Sequence, residues 1–445
     1  MRTGAGMKIA IVCDNASFRM GGEAAIPLRF FRSFRALGAC PVLLTHARVR
    51  PELQEILTPE ELRNTVFFED LWLQKQIFRL GGLLPLRLRE IFIYGLIASL
   101  TERRQARHLR KLARDGALDV VFQPIPISPK VLSLITVPGT PVFFGPLNGA
   151  MDYPPAFRSK SGPVSDAVIA AGRAMAEPLH YLFPAKRRAA GIFVSNPRTL
   201  AALPRATRRA MKYRSYDATV DSDHWRQGGA RNSVDSRHFL YVGRLVDWKA
   251  VDIAIRAAHA LEGRARLTIV GDGPERARLE ALAATGPAEI TFAGHLTHQA
   301  LLGLYGTVCA QLLPSLREAG GNVCMEALAT GTPVIATRWG GPGDVVRDGH
   351  DGILIAPESE DALIRGFAGA MTRMMDDPAL ARDMGLRGRA RVLDAFGWQA
   401  KARDYLALFQ ATKAGNPPVS GPDRLADIHP AHRDPDHLNV AWKAD

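Results

Sequence analysis

Glu318 and Glu326 stand eight positions apart in this chain, with Ala319, Gly320, Gly321 and Asn322 following the first of them. Residues 310–313 read as a buried strand, Gly320-Gly321 as a tight turn, and 323–329 as a helix ended by Gly331-Thr332-Pro333. Glycines at a helix N-terminus let backbone N–H groups approach an anion with no Cβ in the way, and the helix dipole favours negative charge there. A phosphate fits that place. Glu326 lies one turn beyond Asn322 and leans back toward the helix start. A carboxylate repels phosphate, so both glutamates suit neutral hydroxyls: a ribose diol for Glu326, a second ring for Glu318. The ligand this chemistry implies is a nucleotide-sugar.

Two cations, Arg244 and Lys249, follow a strand at 238–242 and precede a helix that starts near Val251. Cations there can neutralise a leaving diphosphate as its charge grows; a solvated loop end is the other reading. The turn Gly271-Asp272-Gly273-Pro274 caps the following helix through Asp272 and Pro274, or walls a base pocket. His295-Leu296 follows the next strand, and Gly349-His350-Asp351-Gly352-Ile353-Leu354 closes the series.

With Gly243-Arg244-Leu245, Glu326-Ala327-Leu328-Ala329 and Gly331-Thr332-Pro333-Val334-Ile335, these motifs stand in register over residues 238–356. The pattern resembles the family-4 group of retaining glycosyltransferases. The resemblance implies an α/β protein of GT-B architecture, two Rossmann-like doubly wound domains facing a central cleft, with the donor held by the second. It implies catalytic roles for Arg244 and Lys249 at the diphosphate and for Glu318 at the sugar. Donor contacts carried over with it are Gly243, Gly271, Leu296, Gly320, Gly321, Asn322, Val323 and Glu326, with Gly21 and Gly22 as the N-terminal glycine loop. Retention of anomeric configuration is also implied, the leaving phosphate helping to deprotonate the acceptor. Family members usually carry an aromatic residue where this chain has Gly320, and many carry a histidine where it has Gly145-Pro146-Leu147-Asn148-Gly149. His46, His108 and His180 do not fall on that position, which leaves Asn148 and Gly149 as acceptor-side residues or as a plain Asn-Gly turn. A non-catalytic nucleotide-sugar-binding protein and a sugar-nucleotide epimerase of similar fold are the alternatives.

The elements that must position these residues are legible as alternating strands and helices. A strand at 8–13, a polar loop 14–19, Gly21-Gly22 and a helix to Leu37 form the first βαβ unit with 42–44; further strands are expected at 120–123, 142–144 and 192–195. After a polar linker at 226–236, strands at 238–242, 267–270 and 290–292 alternate with helices at 251–261 and 275–284. The expected organisation is an acceptor-side domain over 1–225, the linker, a nucleotide-sugar domain over 237–395, a helix at 396–412 that crosses back, and a disordered tail over 413–445.

The 445 residues accommodate two such domains, and 47% apolar content with 7% aromatic residues is ordinary for α/β proteins. Cys13, Cys40, Cys309 and Cys324 lack C-x-x-C spacing, and their apolar surroundings predict buried free thiols in a reducing compartment. No signal-peptide core opens the chain, and 91–100 is half the roughly 20 residues a spanning helix needs, so the expected location is cytoplasmic. Asp221-Ser222-Asp223 and Asp434-Pro435-Asp436 imitate a D-x-D metal motif outside any nucleotide-binding context; no metal or other cofactor is expected beyond the co-substrate. The net charge of +13, with a pI near 9.9, asks for anionic partners. Basic residues crowd 71–114, interleaved with apolar ones, and 186–214, which has no acidic residue. These runs predict peripheral contact with an anionic membrane and a glycan or lipid-linked acceptor; nucleic acid is disfavoured because aromatic stacking residues are sparse.

Overall fold

The structure, a computed structural model, describes residues 6–81, 93–160, 163–216, 219–220, 233–417 and 426–427. Both D-x-D triplets, most of the expected linker and tail, and the apolar residues at 83–92 lie outside the described residues. The rest falls into two compact units, the first drawn from 1–150, 167–217 and 401–432, the second from 151–166 and 218–400. The segment 151–166, read from sequence as part of the N-terminal domain, thus packs with the second unit. Its ties are specific: Trp339 Nε1 donates to the Asp152 carbonyl at 2.9 Å, and the Arg317 guanidinium lies 5.3 Å from the Tyr153 ring centre.

In the first unit, strands β1 (Lys8–Val12), β2 (Cys40–His46), β3 (Thr65–Phe68), β4 (Val120–Gln123), β5 (Val142–Leu147), β6 (Gly191–Val194) and β7 (Met211–Arg214) form a wholly parallel sheet in the order 7-6-5-4-1-2-3. Its helices include α1 (Gly22–Ala36), α2 (Trp72–Gly81), α3 (Tyr94–Arg114) and α4 (Pro163–Leu182). In α1, Ala24, Leu28 and Phe31 recur at helical spacing and are buried, so one face of the helix faces the sheet. Parallel strands are covered on both faces, which explains why β4, β5 and β6 are buried along their whole length.

The second unit has strands β8 (Asp235–Val242), β9 (Arg266–Val270), β10 (Glu289–Gly294), β11 (Val308–Leu313), β12 (Val334–Thr337) and β13 (Gly352–Ile355), also all parallel, in the order 10-9-8-11-12-13. Helices α5 (Val251–His259), α6 (Arg276–Ala283), α7 (Asn322–Ala329) and α8 (Glu360–Asp376) belong to it. The last helix, α9 (Trp398–Lys413), returns to the first unit: Tyr405 stacks on Phe193 at 3.7 Å between ring centres and donates to Ser215 Oγ at 2.6 Å, while Phe409 lies 4.7 Å from Phe143. A two-residue strand, β14 (Ala426–Asp427), extends the first sheet beside β7.

Three sequence expectations need correction. Cys40 is exposed, because it opens β2 at the strand's outer end; only Cys13, Cys309 and Cys324 are buried free thiols. In the second basic run, Lys186 and Lys212 are buried. Lys186 Nζ donates to the Pro129 carbonyl at 3.1 Å and Lys212 Nζ to the Arg208 carbonyl at 2.6 Å, so neither contributes to a basic surface. Asp272 does not cap α6, whose N-cap position is Glu275; its carboxylate accepts from the Gly273 N–H at 2.7 Å and lies 3.5 Å from Arg276.

Candidate active site

Every strand of a parallel sheet ends on the same edge, and ligands of such sheets bind beyond that edge where the strand order reverses. In the second unit the reversal lies between β8 and β11. The loop after β8 carries Gly243, Arg244 and Lys249; the loop after β11 carries Glu318, Gly320 and Gly321, and Asn322 opens α7. The two loops meet in an ion pair between Lys249 Nζ and Glu318 Oε2, each side chain only 17% exposed. Backbone bonds stitch them together as well: the N–H groups of Leu316 and Arg317 donate to the Trp248 carbonyl at 2.9 and 3.3 Å.

Lys249 is presented at an abrupt reversal of the chain. Ala250, the next residue, is buried with φ +48° and ψ 42°, a left-handed conformation that costs an alanine about 1–2 kcal/mol. Surrounding contacts hold it there. Tyr241, at the end of β8, is fully buried and donates its hydroxyl to the Arg244 carbonyl at 3.2 Å. The Arg244 side chain itself is exposed and has no carboxylate partner among the described residues.

Glycines stand at the ends of three adjacent strands along this edge, Gly243 and Gly271 directly after β8 and β9 and Gly294 closing β10. The Gly243 N–H donates to the Val270 carbonyl at 3.0 Å and the Gly271 N–H to the Gly294 carbonyl at 2.8 Å. Gly271 has φ +132°, and a Cβ added there would collide with the Gly243 carbonyl, so the close approach of the two turns requires glycine. Leu296, just beyond β10, is exposed at the same edge.

Gly321, with φ +68°, precedes α7, and no side chain caps that helix. The Cys324 N–H is taken by the Gly321 carbonyl at 2.9 Å, so the Asn322 and Val323 N–H groups and the helix dipole are what suit this place to an anion. Asn322 is exposed, while Val323 and Glu326 are half-buried. Burial first, and then the Glu326 charge, push the Tyr305 phenol up well above its ordinary range. Asp351, part of the Gly349–Leu354 motif, is structural: its carboxylate is fully buried, paired with Arg391 at 2.6 Å, and accepts from the Arg347 N–H at 2.8 Å.

Sequence reasoning missed the turn after β12. The Gly341 N–H donates to the Glu318 carbonyl at 2.7 Å, and a Cβ at Gly340 (φ +64°) would collide with that same carbonyl. Trp339-Gly340-Gly341-Pro342, coming directly after an apolar strand, was the available signal. Tyr241 and Trp248 gave none, because they act through a hydroxyl on a backbone carbonyl and through a carbonyl.

The remaining site residues belong to the first unit. Gly21, with φ +98°, is the N-cap residue of α1 and Gly22 its first residue, both exposed. The loop before them is organised by Glu52, whose carboxylate accepts from Ser17 Oγ at 2.5 Å and from the Phe18 and Arg19 N–H groups at 2.8 and 3.3 Å. Asn148 is buried beyond β5, its Oδ1 accepting from Asn196 Nδ2 at 3.2 Å, and the Gly149 N–H donates to Thr199 Oγ1 at 3.0 Å. Among the described residues no three His, Cys, Asp or Glu side chains converge to hold a metal ion.

Comparison with known proteins agrees with this geometry. Residues 225–391 match the family model Glycosyl transferases group 1. The glycogen synthase of Mycobacterium tuberculosis is 34% identical over 206 residues, 44% of this chain and 48% of that protein. A D-inositol 3-phosphate glycosyltransferase of Acidothermus cellulolyticus is 35% identical over 192 residues, 40% of this chain and 41% of that protein. The chain thus spans about half the length, or less, of these curated relatives. Among solved structures, the sucrose-phosphate synthase of Thermosynechococcus elongatus superposes with a TM-score of 0.59 at 18% identity, over 92% of this chain and 100% of that one. Anabaena Alr3699/HepE in complex with UDP-glucose gives 0.56 at 15% identity, over 91% and 100%. At such identities the structural likeness speaks to fold, whereas the family match rests on the second unit. Residues 225–391 thus match the glycosyl transferases group 1 family, and the two parallel Rossmann-like sheets have the GT-B fold.

Proposed function

We propose that the protein is a glycosyltransferase that moves a sugar, with retention of configuration, from a nucleotide-diphosphate sugar to a glycan or lipid-linked acceptor. The observation that carries this reading is the Lys249–Glu318 pair at the strand-order reversal, beside an unpaired Arg244, a glycine-lined edge and the uncapped start of α7. The site has what a sugar diphosphate asks for: cations and N–H donors for the phosphates, carboxylates for the hydroxyls. In the reaction the bond between the sugar's anomeric carbon and the diphosphate oxygen breaks, and a bond to the acceptor oxygen forms on the same face. The acceptor proton passes to the leaving phosphate. Arg244 and Lys249 neutralise the charge that grows on that phosphate, which is where preorganised electrostatics contribute most. Glu318, paired with Lys249, presents its second oxygen to a sugar hydroxyl; Glu326 takes the ribose. The assignment gives charge neutralisation to these two side chains rather than to a metal.

The known complexes of HepE with UDP and UDP-glucose make uridine nucleotides the first donors to try. A second reading, a nucleotide-sugar-binding protein without turnover, is favoured by one observation: Asn148, where many family members have a histidine, is buried and bonded to Asn196. A thermal-shift screen of UDP-, GDP- and ADP-sugars separates donors, since a ligand at 100 times its Kd stabilises by about 2.7 kcal/mol. Free nucleoside diphosphate is then expected only when acceptor is added. Stabilisation by a donor with no release under any acceptor would favour the binding protein, and no stabilisation by any of the three would sink both readings.

A further inference from the structure

The first sheet has its own strand-order reversal, between β1 and β4. Beyond it opens a cavity of about 920 Å³ lined by the loops after these strands together with α1, α3 and α4. Its walls are mainly apolar, among them Ala24, Ala98, Ile125, Leu132 and Leu179. At its rim Met20, Leu96 and Val131 are 54%, 49% and 42% exposed, large apolar side chains that the first unit leaves uncovered. Apolar pockets with a few convergent polar groups at a reversal point are where small ligands bind.

The polar minority specifies the rest. Asp14 and Asn15 line the cavity, and each has a buried Oδ1 with no hydrogen-bond partner among the described residues, while the other Asp14 oxygen lies 3.3 Å from the Arg48 guanidinium. Two orphan acceptors call for two donors, which the hydroxyls of an alcohol or glycoside supply. Charge does not favour an anion: the lining carboxylates are Asp14, Glu23 and Glu102, the first of them paired with Arg48, and the lining cation is Lys130. Glu102 is held by Gln123 Nε2 at 2.7 Å and the Leu134 N–H at 2.8 Å, and burial pushes its carboxyl up to about 7.

Resting on the glycosyltransferase reading, we propose that this cavity receives a neutral amphipathic acceptor, its alkyl chain against the apolar walls and its hydroxyls donating to Asp14 and Asn15. The acceptor class is then an apolar-tailed alcohol or glycoside, not a bare glycan and not a lipid phosphate.

Calorimetry with octyl β-glucoside below its micelle concentration, methyl β-glucoside and octyl phosphate tests this. Octyl glucoside is expected to bind saturably, the other two about tenfold or more weakly, because each buried methylene adds to affinity and a phosphate meets carboxylates. Ala98→Trp, which fills the cavity, and Leu96→Glu, which places charge on its exposed rim, are each expected to weaken octyl glucoside by about tenfold or more. Asn15→Leu should weaken it while sparing any apolar-only ligand. Thermal stabilisation by the nucleotide-sugar is read on the same samples and should not change. No saturable binding of octyl glucoside, equal binding of methyl glucoside or octyl phosphate, or indifference of both Ala98→Trp and Leu96→Glu would overturn the proposal. Nucleotide-sugar stabilisation persisting through such a failure would leave the donor reading standing, whereas octyl glucoside binding without any nucleotide-sugar effect would sink the donor reading itself.

Discussion

Lys249 and Glu318 are 69 positions apart, and their pairing is made by two loops that share one edge of a sheet. Both residues were legible in the sequence as members of separate motifs, but their contact was not, since it depends on β8 and β11 being neighbours. The two glutamates face different parts of one ligand in the proposed assignment. Glu326→Ala is therefore expected to weaken bare nucleoside diphosphate by about tenfold, in line with about 1.5 kcal/mol for a hydrogen bond to a charged group. Glu318→Ala should matter mainly when the sugar is attached. Calorimetry with diphosphate and with the sugar nucleotide decides it, and equal losses on the bare diphosphate would remove the basis for separate roles.

At the scale of elements, α9 shows how a helix distant in sequence becomes core. Phe409 is fully buried and packs against Phe34, Phe122 and Phe143. Truncating such a ring typically costs about 3–5 kcal/mol. Phe409→Ala should lose that much stability by denaturant unfolding, and a loss below about 1 kcal/mol would mean the helix contributes little to the unit. Most strands could be read from apolar runs because parallel sheets bury both faces; β4 was read to the residue. Strand β3 was passed over although Val66–Phe68 is an apolar run, whereas β7, which carries Lys212 and Arg214, gave no such run. Burial of Lys186 was illegible for a related reason: what admits its ammonium to the interior is the Ser128 and Pro129 carbonyls, nearly 60 residues away. Cys40 erred in the opposite sense, being apolar by type and exposed by its place at a strand's end.

For the whole molecule, the surplus of +13 and the apolar surface of the first unit point the same way. Trp72, Leu73 and Phe78 on α2 are 73%, 49% and 54% exposed, with Lys75 and Arg79 among them, and α3 adds Arg103, Arg107 and Arg110. No helix among the described residues is long and apolar enough to cross a membrane. We propose that these two helices dock on an anionic bilayer, each cation adding about 1 kcal/mol that salt screens away. Co-sedimentation with phosphatidylserine vesicles should fall with added salt and with Arg103, Arg107 and Arg110 changed to Glu; binding that ignores both would discard this docking mode.

The central claim is that the edge between β8 and β11 stabilises a departing diphosphate. Acceptor-dependent turnover of Arg244→Ala and Lys249→Ala, measured beside the melting temperature, tests it most directly. Arg244 is exposed and unpaired, so its truncation should leave melting unchanged while turnover falls about a hundredfold to a thousandfold, the usual cost of removing one donor to a developing anion. Lys249→Ala should lose as much turnover. Variants that fold normally and keep more than roughly a third of the activity, far above that range, would contradict the account.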